Sequence, residues 1–184
     1  DEVFVVDDGP FLDTGCTFRS GGPLVIELPV TRYVGDVDSD GYLQDPQGYV
    51  NRGLLPDRLR LTMPAFDVDF NASVSGIQPE RDEVIFNGES VDVLNPSNDK
   101  YLTGANGIWK KNTFEIPIER VKFPQASPSS TPAPATNTIE INIDVANEGS
   151  GEYWCTAIDW VALEGLETAW RPVLLVHGIL SDGS

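Results

Sequence analysis

One short stretch concentrates carboxylates at a spacing typical of a calcium-binding loop. Aspartate occupies every second position at Asp36, Asp38 and Asp40, and Gly41 and Tyr42 follow at once. Calcium loops place side-chain oxygen ligands at positions 1, 3 and 5, a glycine at position 6 for the sharp turn, and a backbone carbonyl ligand at position 7. The spacing therefore predicts a Ca2+ site formed by the three carboxylates and the carbonyl of Tyr42.

The loop departs from the helix-flanked form of such sites. Its twelfth position is Gln47, where a bidentate glutamate is expected, so Asp45 completes the site only if the loop is shorter. Residues 28–34 before the loop read as a strand, and Pro46 and Gly48 favour an interruption of regular structure after it. We expect a calcium loop carried on β structure. The alternative is an Asp- and Gly-rich turn that is simply solvated.

The charge balance of the chain excludes several classes of partner. Acidic residues outnumber basic residues by 29 to 12, which gives a formal net charge of -17. A surface this negative repels phosphate backbones and anionic lipids, so nucleic-acid and peripheral-membrane binding are disfavoured. No apolar run reaches transmembrane length, and no signal peptide is recognisable. The same balance suits carboxylates that are partly neutralised by bound divalent cations.

The two cysteines, Cys16 and Cys155, lie near opposite ends of the β-rich part of the sequence. A disulfide between them would close a long loop and contribute roughly 3–5 kcal/mol in the chain-entropy model. Two buried thiols are the alternative. A disulfide and a calcium site would both favour a secreted or cell-surface location.

The hydrophobic pattern predicts an all-β fold. Runs rich in Val, Ile, Phe and Tyr are separated by Gly, Pro, Asn and Asp, and no long amphipathic helix is evident. Asn87-Gly88 predicts a tight hairpin because both central residues of such a turn take positive φ. Many antiparallel strands with one covered face indicate two packed sheets, an antiparallel sandwich of jelly-roll type. The clearest strands are expected at 58–63, 66–70, 138–145 and 153–163.

Tryptophan side chains are the best candidates for stacking on sugar rings. At strand spacing, Trp154 and Trp160 share a face with Ile158, which favours positions in the core. Trp109 follows Asn106-Gly107 in a predicted loop. Trp109 is therefore the residue expected to offer an exposed platform to a carbohydrate ligand.

Several of these motifs resemble the galactose-binding-like jelly rolls, which include many carbohydrate-binding modules of secreted enzymes and surface proteins. The likeness covers residues 58 to 164. It is carried, in order, by Phe66-Asp67-Val68-Asp69-Phe70, Asp82-Glu83-Val84-Ile85-Phe86-Asn87-Gly88, Leu102-Thr103-Gly104, Asn112-Thr113-Phe114, Asn137-Thr138-Ile139 and Ala157-Ile158-Asp159-Trp160-Val161. The Asp36 loop has no counterpart in that pattern.

Such modules often hold a structural calcium whose ligands come partly from the N-terminal region and partly from the last strand. The resemblance therefore implies Asp159 as a ligand, with Asp7 or Asp8 as its partner. The alternative for Asp159 is a carboxylate that hydrogen-bonds a neighbouring loop.

The C-terminal run Arg171-Pro172-Val173-Leu174-Leu175-Val176-His177-Gly178 resembles the early central strand and oxyanion-loop entry of α/β-hydrolases, above all lipases and esterases. A continuous apolar run suits a parallel strand covered on both sides. The resemblance implies that Ile179 or Leu180, just after His177 and Gly178, borders the oxyanion hole. No Gly-x-Ser-x-Gly motif occurs and His177 is the only histidine, so no residue is assigned a catalytic role. The alternative is one more sandwich strand that ends in His-Gly by chance.

These expectations divide the chain into a calcium-binding β-sandwich over 1–166 and a linker with the truncated start of an α/β-hydrolase over 167–184. The predicted function is a non-catalytic, calcium-stabilised accessory module of a secreted lipase- or esterase-like hydrolase. It would bind substrate, a cell surface or its own downstream catalytic domain. The alternative is a structural or adhesive extracellular module that binds a protein or glycan and has no attached enzyme.

Overall fold

A computed structural model describes residues 2–7, 14–71, 76–91, 100–125, 133–147, 149, 151 and 154–165 of the chain. Within these residues the all-β prediction is confirmed, because strands dominate and one short α-helix is present. The elements in chain order are β1 (Glu2–Asp7), β2 (Leu24–Val30), α1 (Pro46–Asn51), β3 (Arg58–Phe66), β4 (Glu83–Phe86), β5 (Glu89–Ser90), β6 (Trp109–Pro117), β7 (Ala135–Asn142), β8 (Ala157–Ile158) and β9 (Val161–Gly165). In these ranges no helix has the length and apolar character needed to cross a bilayer.

The described strands form two antiparallel sheets. One has the order β1-β9-β3-β6, with β8 pairing beside β9 on β3, and the other has the order β2-β7-β4-β5. Their inner faces contribute to a single hydrophobic core, which gives a sandwich-like arrangement. The second sheet brings β2, near the start of the chain, against β7 in a seven-residue register from Leu24↔Ile141 to Val30↔Ala135.

Alternation of side chains along the strands builds this core. Leu59, Leu61 and Met63 of β3 are fully buried, and Phe114 and Ile116 of β6 pack from the neighbouring strand. Burial of each such side chain stabilises the folded state by about 1.5–3 kcal/mol relative to exposure. The strand pattern therefore fixes which face of the first sheet turns inward.

The hairpin predicted at Asn87-Gly88 is confirmed. These two residues join β4 to β5 with φ values of 49° and 83°, and Phe86 pairs with Glu89 across the turn. Both positive φ values match the primed turns whose twist suits a two-residue hairpin.

Helix α1 corrects the expectation that Pro46 and Gly48 interrupt regular structure. Pro46 occupies the first helical position, where the missing N–H has no intrahelical partner in any case. The Asp45 side chain caps the helix by accepting a hydrogen bond from the Gly48 N–H at 2.9 Å. A Cβ at Gly48 would lie 1.9 Å from Asp45 Oδ2, so the cap requires glycine there.

Several predicted strand boundaries are corrected. The strand expected at 58–63 continues to Phe66 as β3, and the separate strand expected at 66–70 is not formed. The strand expected at 138–145 is β7, which ends at Asn142. β3 stops at Phe66 because Asp67 adopts φ of 63°, which turns the chain out of the sheet. The last long strand is divided into β8 and β9, with Asp159 and Trp160 between them. Both breaks fall at the same end of the first sheet, where Ala65 of β3 pairs with Ile158 of β8.

Candidate functional site

The end of the first sheet presents an exposed apolar pair, Ile108 and Trp109, which we call the platform. Trp109 opens β6 and is 50% exposed, and Ile108 is 57% exposed. The Trp109 ring packs on Phe66, its partner in the β3–β6 register, with ring centroids 5.1 Å apart and the planes tilted by 47°. The expected exposure of Trp109 is confirmed, although the residue begins β6 and does not lie in the predicted loop. Phe66 supports the ring from one side.

Hydrogen bonds to the Asp67 turn hold the loop that precedes Trp109. Asp67 Oδ1 accepts the Gly107 N–H, and the Asp67 N–H donates to the Ile108 carbonyl at 3.4 Å. The Ile108 N–H donates to the Ala105 carbonyl at 3.2 Å and closes a turn in which Gly107 has φ of 65°. The positive φ of Asp67 therefore lets one residue bind the loop through both its backbone and its side chain.

The same loop contacts Val68 and Asp69. Asn106 Nδ2 donates to Asp69 Oδ2 at 3.4 Å. A Cβ at Gly104 would lie 2.7 Å from the Val68 carbonyl oxygen, so the close approach of the two backbones requires glycine. Burial raises the pKa of the Asp69 carboxyl above its usual value, and the charge of Asp67 acts in the same direction. The loop thus lies between the solvent-exposed platform and a buried carboxyl.

Asp69 belongs to a group of buried carboxyls, Asp69, Glu80, Asp82 and Asp144, which we call the acid cluster. Glu80 and Asp82 are fully buried, and Asp69 and Asp144 nearly so. Glu80 Oε2 accepts the Asp69 N–H at 2.6 Å. Asp82 Oδ1 accepts the Asp144 N–H at 2.9 Å. These contacts join the Asp67–Asp69 turn, the start of β4 and the end of β7 in one place.

A shared proton accounts for the contacts between Glu80 and Asp82. The Thr156 hydroxyl lies 3.1 Å from Glu80 Oε1 and also hydrogen-bonds Asp82 Oδ2, yet it carries one hydrogen and can donate to only one of them. Two buried carboxylates that share the Thr156 hydroxyl repel each other unless one of them holds a proton. Burial raises the pKa of Glu80 to about 9, helped by the neighbouring Asp82 charge, and burial raises the pKa of Asp82 to about 6.

Asp144 is the member of the acid cluster with a cationic partner. Arg19 NH1 lies 3.5 Å from Asp144 Oδ2 and donates to the Asp144 carbonyl at 3.1 Å. Asn147 Nδ2 donates to Asp144 Oδ1, and Asp144 itself adopts φ of 51° in the turn after β7. Arg19, from the N-terminal part of the chain, therefore offsets the negative charge of Asp144.

A disulfide closes this end of the sandwich. Cys16 and Cys155 are bonded with their Cα atoms 5.4 Å apart, and Asp67 Oδ2 lies 3.7 Å from Cys155 Sγ. Ligand atoms of Cys16, Cys155 and Asp67 lie within 4.8 Å of one another. Both sulfurs belong to the disulfide, so neither offers the thiolate that a metal would bind. Thr17 and Thr156 extend the connection through two backbone hydrogen bonds of 2.9 and 3.0 Å.

The Asp36 loop is folded by its own hydrogen bonds. Asp38 Oδ1 accepts the N–H groups of Asp40 at 2.9 Å and Tyr42 at 3.0 Å. The Tyr42 carbonyl accepts the Asp38 N–H at 2.8 Å. The loop conformation is therefore set before any ion is considered, and the Tyr42 carbonyl keeps one lone pair.

Asp36 and Asp38 line a common open recess of about 290 Å³. Gln125 borders it and donates from Nε2 to the carbonyls of Asp38 at 2.9 Å and Ser39 at 2.7 Å. Asp40 is exposed outside the recess lining, and the Asp45 carboxylate is directed to helix α1. Of the predicted ligand residues, two thus line one recess, Asp36 and Asp38.

The remaining predicted residues divide between described and undescribed parts of the chain. Asp7 ends β1 and pairs with Val161 of β9, two residues after Asp159. The Asp159 N–H approaches the Pro64 carbonyl at 3.4 Å, and the Asp159 side chain is half-buried. Asp8 and the tail residues His177, Gly178, Ile179 and Leu180 lie outside the described residues.

The acid cluster was not predicted, although the sequence holds a signal for part of it. Val84 and Phe86 are the buried positions of β4, and the same alternation carried back along the chain reaches Asp82 and Glu80. Carboxylates on the buried side of a strand are costly unless they are hydrogen-bonded or protonated, so they mark a polar site within the fold.

Comparisons with protein-family models, with curated proteins and with solved structures give no match. Two features of the described residues are accessible to a ligand: the platform at the end of the first sheet and the recess of the Asp36 loop.

Proposed function

We propose that this chain is a carbohydrate-binding accessory β-sandwich of a secreted lipase- or esterase-like hydrolase, stabilised by calcium at the Asp36 loop. The observation that carries the proposal is the position of Trp109, whose ring is half exposed and is supported by Phe66. Sugar rings present apolar C–H faces, and a fixed aromatic ring offers a large contact area at little cost in side-chain entropy.

The surroundings of Trp109 suit a sugar as well. Asn106 and Asp67 lie in the adjacent loop and turn, and their side chains carry the donors and acceptors that hydroxyl groups require. The net charge of -17 disfavours polyanionic glycans. Neutral polysaccharides are therefore the ligand class that we expect.

Calcium fits the Asp36 loop as a neutralising ion. Asp36 and Asp38 line one recess, and the Tyr42 carbonyl follows in the same turn. Hard oxygen donors of this kind are the ligands that Ca2+ prefers. Ca2+ would offset the repulsion between the carboxylates, and Asp40 is the further carboxylate within reach along the chain. The jelly-roll resemblance adds Asp159 and Asp7 as ligands of a structural calcium.

The link to a hydrolase rests on the resemblance of residues 171–178, which lie outside the described residues. Acyl transfer needs a serine activated by a positioned histidine. The only histidine of the chain is His177, which the resemblance assigns to the oxyanion loop. We therefore expect the chain by itself to hydrolyse short p-nitrophenyl esters only at the background rate. A Gly-x-Ser-x-Gly motif downstream of Ser184 would support the attached enzyme.

Binding to a panel of neutral insoluble polysaccharides tests the carbohydrate proposal. Trp109→Ala should lose retention on the polysaccharide that binds, whereas Trp109→Phe should keep part of it. Leu54→Ala is the matched control, because Leu54 is 52% exposed, close to the 50% of Trp109, and lies outside both the platform and the recess. The proposal fails if no polysaccharide retains the protein, or if Trp109→Ala is retained as well as the unchanged chain.

An adhesive module that binds a protein is the second candidate, and the exposure of Ile108 favours it. An exposed aliphatic side chain beside an exposed tryptophan is typical of a protein contact rather than of sugar stacking. Ile108→Ala distinguishes the two functions. Sugar retention should tolerate this change, whereas a protein contact should weaken in both Ile108→Ala and Trp109→Ala.

A further inference from the structure

The turn that holds the platform contains Asn106-Gly107, a dipeptide with its own chemistry. The backbone nitrogen of the residue after an asparagine can attack the asparagine side-chain carbonyl and form a five-membered succinimide. Glycine permits this attack because it has no Cβ to obstruct the approach. Asn106 and Gly107 are both exposed, and Gly107 has φ of 65°.

Two carboxyl groups accept hydrogen bonds from the two nitrogens that take part in such a reaction. Asp67 Oδ1 accepts the N–H of Gly107, the attacking nitrogen. Asp69 Oδ2 accepts a hydrogen bond at 3.4 Å from Asn106 Nδ2, the leaving nitrogen. We propose that Asn106 is a site of self-catalysed deamidation, in which Asp67 acts as general base and Asp69 as general acid.

The reaction balances with water as the sole co-reactant. Gly107 N forms a bond to Asn106 Cγ while its proton passes to Asp67. The Cγ–Nδ2 bond then breaks, and Asp69 donates a proton to the departing nitrogen, which leaves as ammonia. Asp67 releases the proton that it accepted to solvent, and Asp69 regains a proton from solvent. Water then adds across one imide C–N bond, which yields aspartate or isoaspartate at position 106. The net change is one water consumed and one ammonia released.

The environments of the two carboxyls suit these roles. Burial raises the pKa of the Asp69 carboxyl above its usual value, which is the direction that a general acid requires. Asp67 is more open to solvent than Asp69, so solvent can carry away the proton that Asp67 accepts. Both side chains are already in contact with the reacting groups, which is the first requirement for proton transfer.

Asn87-Gly88 serves as an internal control in the same chain. The Asn87 side chain is held by three hydrogen bonds: Nδ2 donates to the Arg120 carbonyl at 2.8 Å and to Asn137 Oδ1 at 2.8 Å, and Oδ1 accepts the Thr138 N–H at 2.9 Å. The amide cannot turn toward Gly88 N without breaking this network. Asn87 should therefore keep its amide in the folded protein.

Deamidation would change the platform. A carboxylate at position 106 has no N–H to donate, so the hydrogen bond from this side chain to Asp69 in the acid cluster would be lost. The loop that leads to Trp109 would lose one of its attachments. This consequence gives the modification a structural effect whether or not the platform binds a glycan.

Peptide mapping by mass spectrometry during incubation of the whole chain at neutral pH tests the proposal. We expect Asn106 to convert progressively, with isoaspartate among the products, while Asn87 remains intact. Asp67→Asn should slow conversion on the order of a hundredfold, the low end for general acid–base catalysis, and Asp69→Asn should slow it as well. Asp57→Asn, a change at an exposed carboxylate elsewhere, should leave the rate unchanged.

Asn87 also reports on folding in each variant. An unfolded variant would expose both dipeptides and convert both, so an intact Asn87 shows that the comparison concerns folded protein. The proposal is overturned if Asn106 keeps its amide in the folded chain. It is also overturned if Asp67→Asn and Asp69→Asn convert Asn106 at the original rate while Asn87 stays intact.

Discussion

Asn112 and Thr103 are joined by three hydrogen bonds inside the protein. Asn112 Oδ1 accepts the Thr103 N–H at 2.8 Å and the Thr103 hydroxyl at 3.0 Å, and Asn112 Nδ2 donates to the Thr103 carbonyl at 3.1 Å. Both residues are buried. Asn112 lies in β6, three residues after Trp109, so one side chain of the strand fixes the start of the loop that ends at the platform.

Asn112→Ala should destabilise the fold and loosen that loop. The change leaves the backbone groups of Thr103 without partners in a buried place, which costs about 1–3 kcal/mol. Urea denaturation measures the cost, and tryptophan fluorescence reports the environment of Trp109. Thr113→Ala, at the next and exposed position of β6, should have little effect. Equal unfolding midpoints for the two variants would contradict the assigned role of Asn112.

Glu80→Gln should flatten the dependence of stability on pH. The pKa of Glu80 is raised from 4.5 to about 9 by burial, so across that window the folded protein holds a proton that the unfolded chain has lost. The free energy of unfolding therefore falls as pH rises from about 4.5 toward about 9. Asp82, raised from 3.8 to about 6, acts in the same direction over its own range.

Glutamine cannot titrate, and its amide can donate to Asp82 as the protonated Glu80 does. Denaturation at a series of pH values should show a slope that is smaller by about one proton in Glu80→Gln than in the unchanged chain. Glu119→Gln provides the control, because Glu119 is exposed. Parallel stability curves for Glu80→Gln and the unchanged chain would show that Glu80 and Asp82 share no proton.

Local signals in the sequence were sufficient for much of the fold. The hairpin could be predicted from Asn87-Gly88 alone, because both turn positions require positive φ and these two residues adopt it. Alternation also predicted that Leu59, Leu61 and Met63 lie in the core, because successive side chains of any strand point to opposite faces of the sheet. Pro46 was misjudged as a break because Asp45 makes the proline position the first of a helix.

The candidate site depended on contacts between distant residues, and the sequence predicted less of it. Alternation over 66–70 places Asp69 toward solvent, but the turn at Asp67 ends the strand and buries Asp69. That turn is held by Gly107, 40 residues away. The contact of Thr156 with Asp82 spans 74 residues, so no local pattern could indicate it. Exposure of Trp109 was predicted because its loop signal lies beside it.

Reduction of the disulfide should lower stability substantially. Cys16 and Cys155 are separated by 139 residues, so the bond restricts a long loop of the unfolded chain. The chain-entropy model gives a loss of roughly 3–5 kcal/mol on reduction. Denaturation with and without reductant measures it, and Cys16→Ser with Cys155→Ser should match the reduced protein. A midpoint unaffected by reductant would contradict this expectation.

Chelation should lower stability if Ca2+ binds the Asp36 loop. A ligand that binds only the folded state stabilises it by about 2.7 kcal/mol at a hundredfold excess over its Kd. Melting with Ca2+ and with EDTA measures the difference, and Asp36→Asn and Asp38→Asn should abolish it. Asp57→Asn should keep it, since Asp57 is an exposed aspartate outside the recess. Identical melting curves with Ca2+ and with EDTA, and no heat of Ca2+ binding in titration calorimetry, would contradict the calcium proposal.

The bond between Cys16 and Cys155 also decides how the chain responds to being pulled. Tension applied from a residue before Cys16 to a residue after Cys155 passes from one sulfur to the other, and the chain between these cysteines, which lie 139 positions apart, is not extended by it. Stretching could separate β1 from β9, because that pairing lies outside the closed span. It could not extend the part of the chain from β2 to β7, which lies inside the span. The oxidised protein would yield a short extension under force, and reduction would release the full length of the enclosed chain. A chain closed in this way keeps its platform in shape while its two ends are pulled apart.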